Sequence, residues 1–154
     1  MAIDPIIAAL IPHRDPFLWV DRIIDSRPGV IITEKYIPED LDVFQGHYPG
    51  QPIFPGVLLC EAIFQTGALL TAQIESSKPQ ENSTRLPVVT RINGARFKRP
   101  VFPGDTIRMK VEFKEAVSSA NFFKGTIRVN GKIALRIDFA TTFVAPEKKN
   151  NTIT

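Results

Sequence analysis

One carboxylic acid stands in a helix whose composition calls for none. From Gly56 to Leu70 the chain reads Gly56-Val57-Leu58-Leu59-Cys60-Glu61-Ala62-Ile63-Phe64-Gln65-Thr66-Gly67-Ala68-Leu69-Leu70, and apolar residues cover nearly every helical face. The strongly polar side chains there are Glu61, Gln65 and Thr66. A helix that is hydrophobic all round is usually a buried one. A buried carboxylate is costly unless it is paired or protonated. Glu61 therefore demands a reason, and one of the two histidines, His47, lies fourteen residues before it.

The remainder of the chain supplies strands to bury such a helix. Pro5–Leu10 reads as a short helix closed by Pro12. The β-formers of 17–24 and Val30–Ile37 flank the turn signal Arg27-Pro28-Gly29, which predicts a hairpin. The long helix is expected over Gly56–Ile74 and a polar surface loop over Ser76–Thr84. In Thr106–Lys114, Ile107, Met109, Val111 and Phe113 alternate with polar residues, as in a half-buried antiparallel strand. Asn130-Gly131 is a strong hairpin signal. It joins 124–129 to 132–143, where Ile133, Leu135, Ile137 and Phe139 alternate again. Two strands before the helix and at least four after it predict an α+β fold, one antiparallel sheet wrapped around one helix. The helix can be apolar all round only if something covers its far side, so a dimer is expected.

The bulk composition sets limits. A chain of 154 residues with 44% hydrophobic and 23% charged residues suits one globular domain. That domain is expected over residues 1–145, with a polar, frayed tail over 146–154. One cysteine allows no internal disulfide and suits a reducing compartment. No secretory leader is visible and no stretch nears eighteen consecutive apolar residues, so a cytoplasmic protein without membrane insertion is expected. Residues 1–80 carry a balance of −5 and residues 81–154 one of +8. The basic half would favour an acidic partner. Its charges mostly alternate along strands, without a basic helix or aromatic stacking motif, so no nucleic acid partner is expected and a solvated sheet face is the plainer reading.

The candidate chemistry centres on His47 and Glu61. Gly46, Pro49 and Gly50 can hold His47 rigidly at a cavity mouth. Pro55-Gly56 marks the helix start, where the main-chain donors of Gly56 and Val57 are free and lie at the positive end of the helix dipole. They could stabilise an oxyanion on a carbonyl substrate. Gln65 follows Glu61 one turn later on the same face. A base near neutrality, an acid kept protonated by burial, and backbone donors suit proton abstraction α to a carbonyl with protonation of a departing β-hydroxyl. No metal site, phosphate loop, dinucleotide fingerprint or nucleophilic triad is evident, and Cys60 reads as a small core residue. On spacing alone a structural reading stands beside this one: a hydrogen-bonding loop histidine and a helix glutamate paired with an arginine.

The segment from Phe44 to Gln65, with Gly46-His47-Tyr48-Pro49-Gly50 and Pro55-Gly56-Val57-Leu58-Leu59-Cys60-Glu61 at its heart, resembles the signature of the β-hydroxyacyl-acyl-carrier-protein dehydratases of type II fatty acid synthesis. The dehydratase-only branch fits better than the dehydratase–isomerase branch, which typically has Asp at the place of Glu61. Pro12–Leu18 with Val20-Asp21-Arg22, Ala95–Val101 with Pro103-Gly104-Asp105, and Phe123-Lys124-Gly125 with 129–132 resemble further motifs of that family. The resemblance implies a hot-dog fold with two subunits joining their sheets. It implies His47 as base and Glu61 of the partner subunit as acid, acting directly or through a water. It also implies Gly56 as oxyanion donor and an apolar acyl tunnel between subunits; Val57 and Gln65 join Gly56 as candidate oxyanion or substrate-binding residues from their places on the helix. No cofactor is implied, because elimination of water is redox-neutral. The implied partner is an acyl carrier protein, met by Arg96, Lys98 and Arg99, although alternating strand residues share a face only if a bulge reorients them. A homodimer is implied, with a trimer of dimers as a further assembly.

Two positions depart from the pattern. Tyr48 replaces the usual Phe and keeps the ring. Phe64 stands where the family commonly has a small residue; it either lines the tunnel and shortens the accepted chain or packs in the core, the latter being the favoured reading. His13 reads as structural. Two other functions compete: a hot-dog hydratase or thioesterase on coenzyme A thioesters, and a non-catalytic acyl-binding subunit. A thioesterase would not need His47 and Glu61 at this spacing, and a binding subunit would be expected to have lost one of them.

Overall fold

The computed structural model describes residues 3–78 and 85–145. The expected frayed tail and most of the loop after the long helix lie outside them. In chain order the elements are α1 (Pro5–Leu10), β1 (Arg22–Arg27), β2 (Val30–Tyr36), α2 (Val43–Gly46), α3 (Gly56–Ser76), β3 (Leu86–Phe97), β4 (Thr106–Val117), β5 (Ala120–Val129) and β6 (Lys132–Val144). The six strands form one antiparallel sheet in the order β1-β2-β4-β5-β6-β3. It packs against α3, giving the expected hot-dog arrangement.

The alternating residues meet in rows across the sheet. Thr33, Met109, Ile127 and Leu135 are cross-strand partners in one row, and Ile31, Val111, Gly125 and Ile137 in the next. These side chains are buried, and α3 lies on them. Contact is close enough that a Cβ on Gly67 would come within 2.8 Å of Phe139. A hydroxyl pair, Thr33 Oγ1 to Thr66 Oγ1 at 2.8 Å, ties α3 to β2 inside the core. The Asn130-Gly131 turn joins β5 to β6 with both residues at positive φ, as a two-residue hairpin requires.

The structure adds three features to the sequence expectation. The first hairpin begins only at Arg22. Residues 17–20 are held by α3 instead of a neighbouring strand, because the Trp19 N–H donates to the side chain of Gln65. A four-residue helix, α2, precedes His47; Phe44 anchors it in the core. α3 is long and apolar enough to span a bilayer by length and composition, but most of it is packed into this fold as the core helix.

The sheet does not enclose α3. Val57 is 75% exposed, and Glu61, Phe64, Ala68 and Ala72 are only partly buried. At 100° per residue these five fall within about 80° of the helix circumference. They form one uncovered stripe opposite the buried side of the helix, which runs from Leu59 to Thr71.

Candidate active site

His47 follows α2 as its C-cap, and its N–H donates to the Val43 carbonyl at 3.0 Å. The loop then doubles back: Ile53 N–H donates to the His47 carbonyl at 3.0 Å, and Gln51 and Tyr48 exchange main-chain bonds at 3.0 and 3.2 Å. The His47 ring stacks on Tyr48 with centroids 4.1 Å apart. Its Nδ1 lies 2.7 Å from the Ile53 carbonyl. A carbonyl only accepts, so Nδ1 carries the proton. The neutral ring therefore keeps a free lone pair on Nε2, the form a general base needs.

Edge-to-face aromatic contacts tie this loop to the N-terminal segment. Phe44 meets Phe54, Phe54 meets Trp19, and Trp19 meets Phe17, with centroids 6.4, 5.3 and 6.3 Å apart. The same segment holds Gln65. Its Oε1 accepts from Trp19 N–H at 2.8 Å, and its Nε2 donates to the Phe17 carbonyl at 2.9 Å and to Glu61 Oε1 at 3.0 Å. These partners leave one possible orientation for the amide. Gln65 is wholly buried. Protein groups thus occupy both ends of its amide, and Glu61 is one of them.

The sequence puts Glu61 in a buried, apolar setting, and the structure leaves it partly open. Its side chain is 23% accessible, because it lies on the uncovered stripe of α3 instead of facing the sheet. Among the described residues its ion-pair neighbour is one the sequence did not suggest. His13 Nε2 stands 3.7 Å from Glu61 Oε1 across 48 residues of chain. No local spacing signals that approach.

The start of α3 is uncapped: Pro55 offers no side-chain bond, and the turn begins with Leu58 and Leu59 N–H donating to the Pro55 carbonyl. Among the described residues the N–H groups of Gly56 and Val57 have no partner. Phe97 of β3 lies over Gly56, where a Cβ would meet its ring at 2.8 Å. Any side chain at this position would require the Phe97 ring to move. Phe64 reaches Phe139 edge-on at 5.1 Å while remaining on the same stripe as Glu61, so it has both a core face and an open one. Cys60 is free and buried, and burial pushes its thiol pKa up, which makes it a poor nucleophile.

Arg96, Lys98 and Arg99 are exposed at the end of β3. A register shift between Asn93 and Arg96 interrupts the alternation just before them, the bulge such a cluster would require.

Residues 11–138 match the FabA-like domain family. The chain is 44% identical, over 90% of its length and 83% of the relative, to the 3-hydroxyacyl-acyl-carrier-protein dehydratase FabZ of Caulobacter sp. (strain K31). It is 49% identical, over 70% of its length and 72% of the relative, to the dehydratase of the same name from Chloroflexus aggregans. Among solved structures it resembles the dehydratase heterocomplex ApeI:P from Xenorhabdus doucetiae, with a TM-score of 0.75 and 15% identity over 92% of this chain and 91% of that one. A hypothetical thioesterase with coenzyme A from Streptococcus pneumoniae gives a TM-score of 0.62 at 11% identity, over 82% of this chain and 88% of that one. At those identities the likeness concerns the fold alone.

Proposed function

The chain belongs to the FabA-like domain family, and from that membership and its dehydratase relatives we propose that it removes water from (3R)-hydroxyacyl-acyl-carrier-protein to give the trans-2-enoyl thioester in fatty acid or related lipid synthesis. It is a hydro-lyase whose substrate arrives on an acyl carrier protein, and it works in the cytoplasm. The observation that carries the chemistry is the bond from His47 Nδ1 to the Ile53 carbonyl, which leaves Nε2 as a base.

His47 Nε2 takes the α-proton, and the electrons of that C–H bond become the new carbon–carbon double bond. The bond to the β-hydroxyl breaks as Glu61 supplies a proton, so oxygen leaves as water. His47 ends protonated and Glu61 ionised, and proton exchange with solvent restores both. The uncapped Gly56 and Val57 N–H groups support binding of the thioester oxygen, where negative charge gathers during α-proton removal.

The working unit in this proposal is a homodimer that joins β3 to β3 and brings His47 to Glu61 of the partner subunit. Support comes from β3 itself, a twelve-residue edge strand that among the described residues pairs with β6 alone. Val88, Val89 and Ile92 are exposed on it. A long apolar edge of this kind is a ready template for another strand. The uncovered stripe of α3 would be closed by the same partner, leaving an apolar passage for the acyl chain. The exposed Arg96, Lys98 and Arg99 would meet the acidic carrier protein.

The test is turnover of a (3R)-hydroxyacyl-carrier-protein series, read by mass spectrometry for loss of water. His47→Ala is expected to lower kcat by roughly a hundredfold to ten-thousandfold while keeping the wild-type circular dichroism spectrum. Wild-type turnover by that variant would remove His47 from the mechanism. Release of free acid instead of water would identify a thioesterase.

A further inference from the structure

Two nitrogen groups approach the Glu61 carboxyl, and both address the same oxygen. Gln65 Nε2 donates to Oε1 at 3.0 Å, and His13 Nε2 stands 3.7 Å from Oε1. The second distance exceeds a hydrogen bond. At that length the contact is electrostatic, between the ring edge and the carboxyl oxygen.

The rest of the His13 ring indicates where its proton sits. Nδ1 is buried and has no partner among the described residues. A neutral imidazole has one N–H. On Nδ1 it would be a buried donor without an acceptor; on Nε2 it points at the carboxyl and leaves only a lone pair on Nδ1. The Nε2–H tautomer is therefore the cheaper one. The main chain beneath is also secured. Arg14 Nη1 donates to the carbonyls of Ile11 and His13 at 2.8 and 2.7 Å, and Nη2 to that of Ala8 at 2.9 Å. His13 is thereby pinned to the end of α1.

We propose that His13 is a positioning residue for the acid: its Nε2–H and Gln65 Nε2 together hold Oε1 of Glu61, so that the proton delivered to the leaving hydroxyl is carried on Oε2. A proton on Oε1 would face two donors, so the pair makes the two carboxyl oxygens inequivalent and directs the free one outward. The proposal rests on the dehydratase reading above.

The test compares wild-type enzyme, His13→Leu, His13→Gln and Glu61→Gln on one (3R)-hydroxyacyl-carrier-protein substrate. Glutamine keeps an N–H donor at about the reach of Nε2; leucine keeps bulk alone. His13→Leu is expected to lower kcat roughly tenfold to a hundredfold. Its KM should stay within about twofold of wild type, since a contact to the acid adds little to ground-state binding. His13→Gln should recover most of the lost kcat, and its melting temperature should match that of wild type. Wild-type kcat in His13→Leu overturns the assignment, as do equal losses in the two variants. Should the leucine variant fail to fold, His13→Gln decides alone, and a loss of kcat as deep as that of Glu61→Gln in a folded protein overturns it. An inactive wild type would instead refute the dehydratase reading, and the His13 assignment with it.

Discussion

Gln65 holds Glu61 from one turn away, its Nε2 donating to Oε1 at 3.0 Å while the same amide binds the main chain at Phe17 and Trp19. A wholly buried side chain thus joins the N-terminal segment to the acid. Gln65→Met keeps the volume and removes all three bonds, leaving the Trp19 N–H and Phe17 carbonyl unpaired. The expected cost is about 2–4 kcal/mol of stability. Urea unfolding measures it, and kcat should fall as well, even at temperatures where the variant is fully folded. An unchanged kcat would mean that Glu61 needs no such support.

Phe64 borders the uncovered stripe three residues after Glu61 and packs edge-on against Phe139. Phe64→Ala is expected to shift the kcat/KM optimum toward longer acyl chains, because the ring would otherwise occupy the passage beyond the acid. Loss of the Phe139 contact should cost about 2–3 kcal/mol, below the full value for a completely buried ring. A length profile identical to wild type would assign Phe64 to core packing alone.

Ile92 is 52% exposed in the middle of β3, which among the described residues has no strand on its outer edge. A lysine there blunts an edge strand in the way natural sheets do. Ile92→Lys is expected to give monomers by sedimentation velocity, with activity that becomes dependent on protein concentration. A dimer of wild-type affinity would place the subunit contact elsewhere.

The hydrogen bond from Arg22, followed by that from Arg108, holds the Glu34 carboxyl below the ordinary carboxylate range, although burial pushes the other way. Folded Glu34 therefore binds its proton less tightly than the unfolded residue does. Its stabilising contribution is present above the ordinary carboxylate range and disappears as pH falls through the lowered value. Glu34→Gln should flatten the acid limb of a stability–pH curve. The effect should be at most about 1 kcal/mol, because both arginines are exposed.

The local features of this chain were legible because they depend on neighbours in sequence. Alternation at Ile107, Met109 and Val111 specifies a strand with one buried face. Asn130-Gly131 specifies a tight turn through the positive φ both residues tolerate. The apolar run after Pro55-Gly56 specifies a core helix, and Glu61 within it marks where chemistry was to be sought. Arrangement was not legible in the same way. An apolar helix suggested burial, yet the one sheet covers only part of α3 and leaves Glu61 on the open stripe. The docking of residues 13–19 beside α3 brings His13 to Glu61 and gives Gln65 its main-chain partners across 46 to 48 residues of chain. Spacing along the chain specifies which groups are present and which local element each occupies. Distances of this kind arise only when separate elements pack, so the tertiary structure alone decides which nitrogen meets which oxygen.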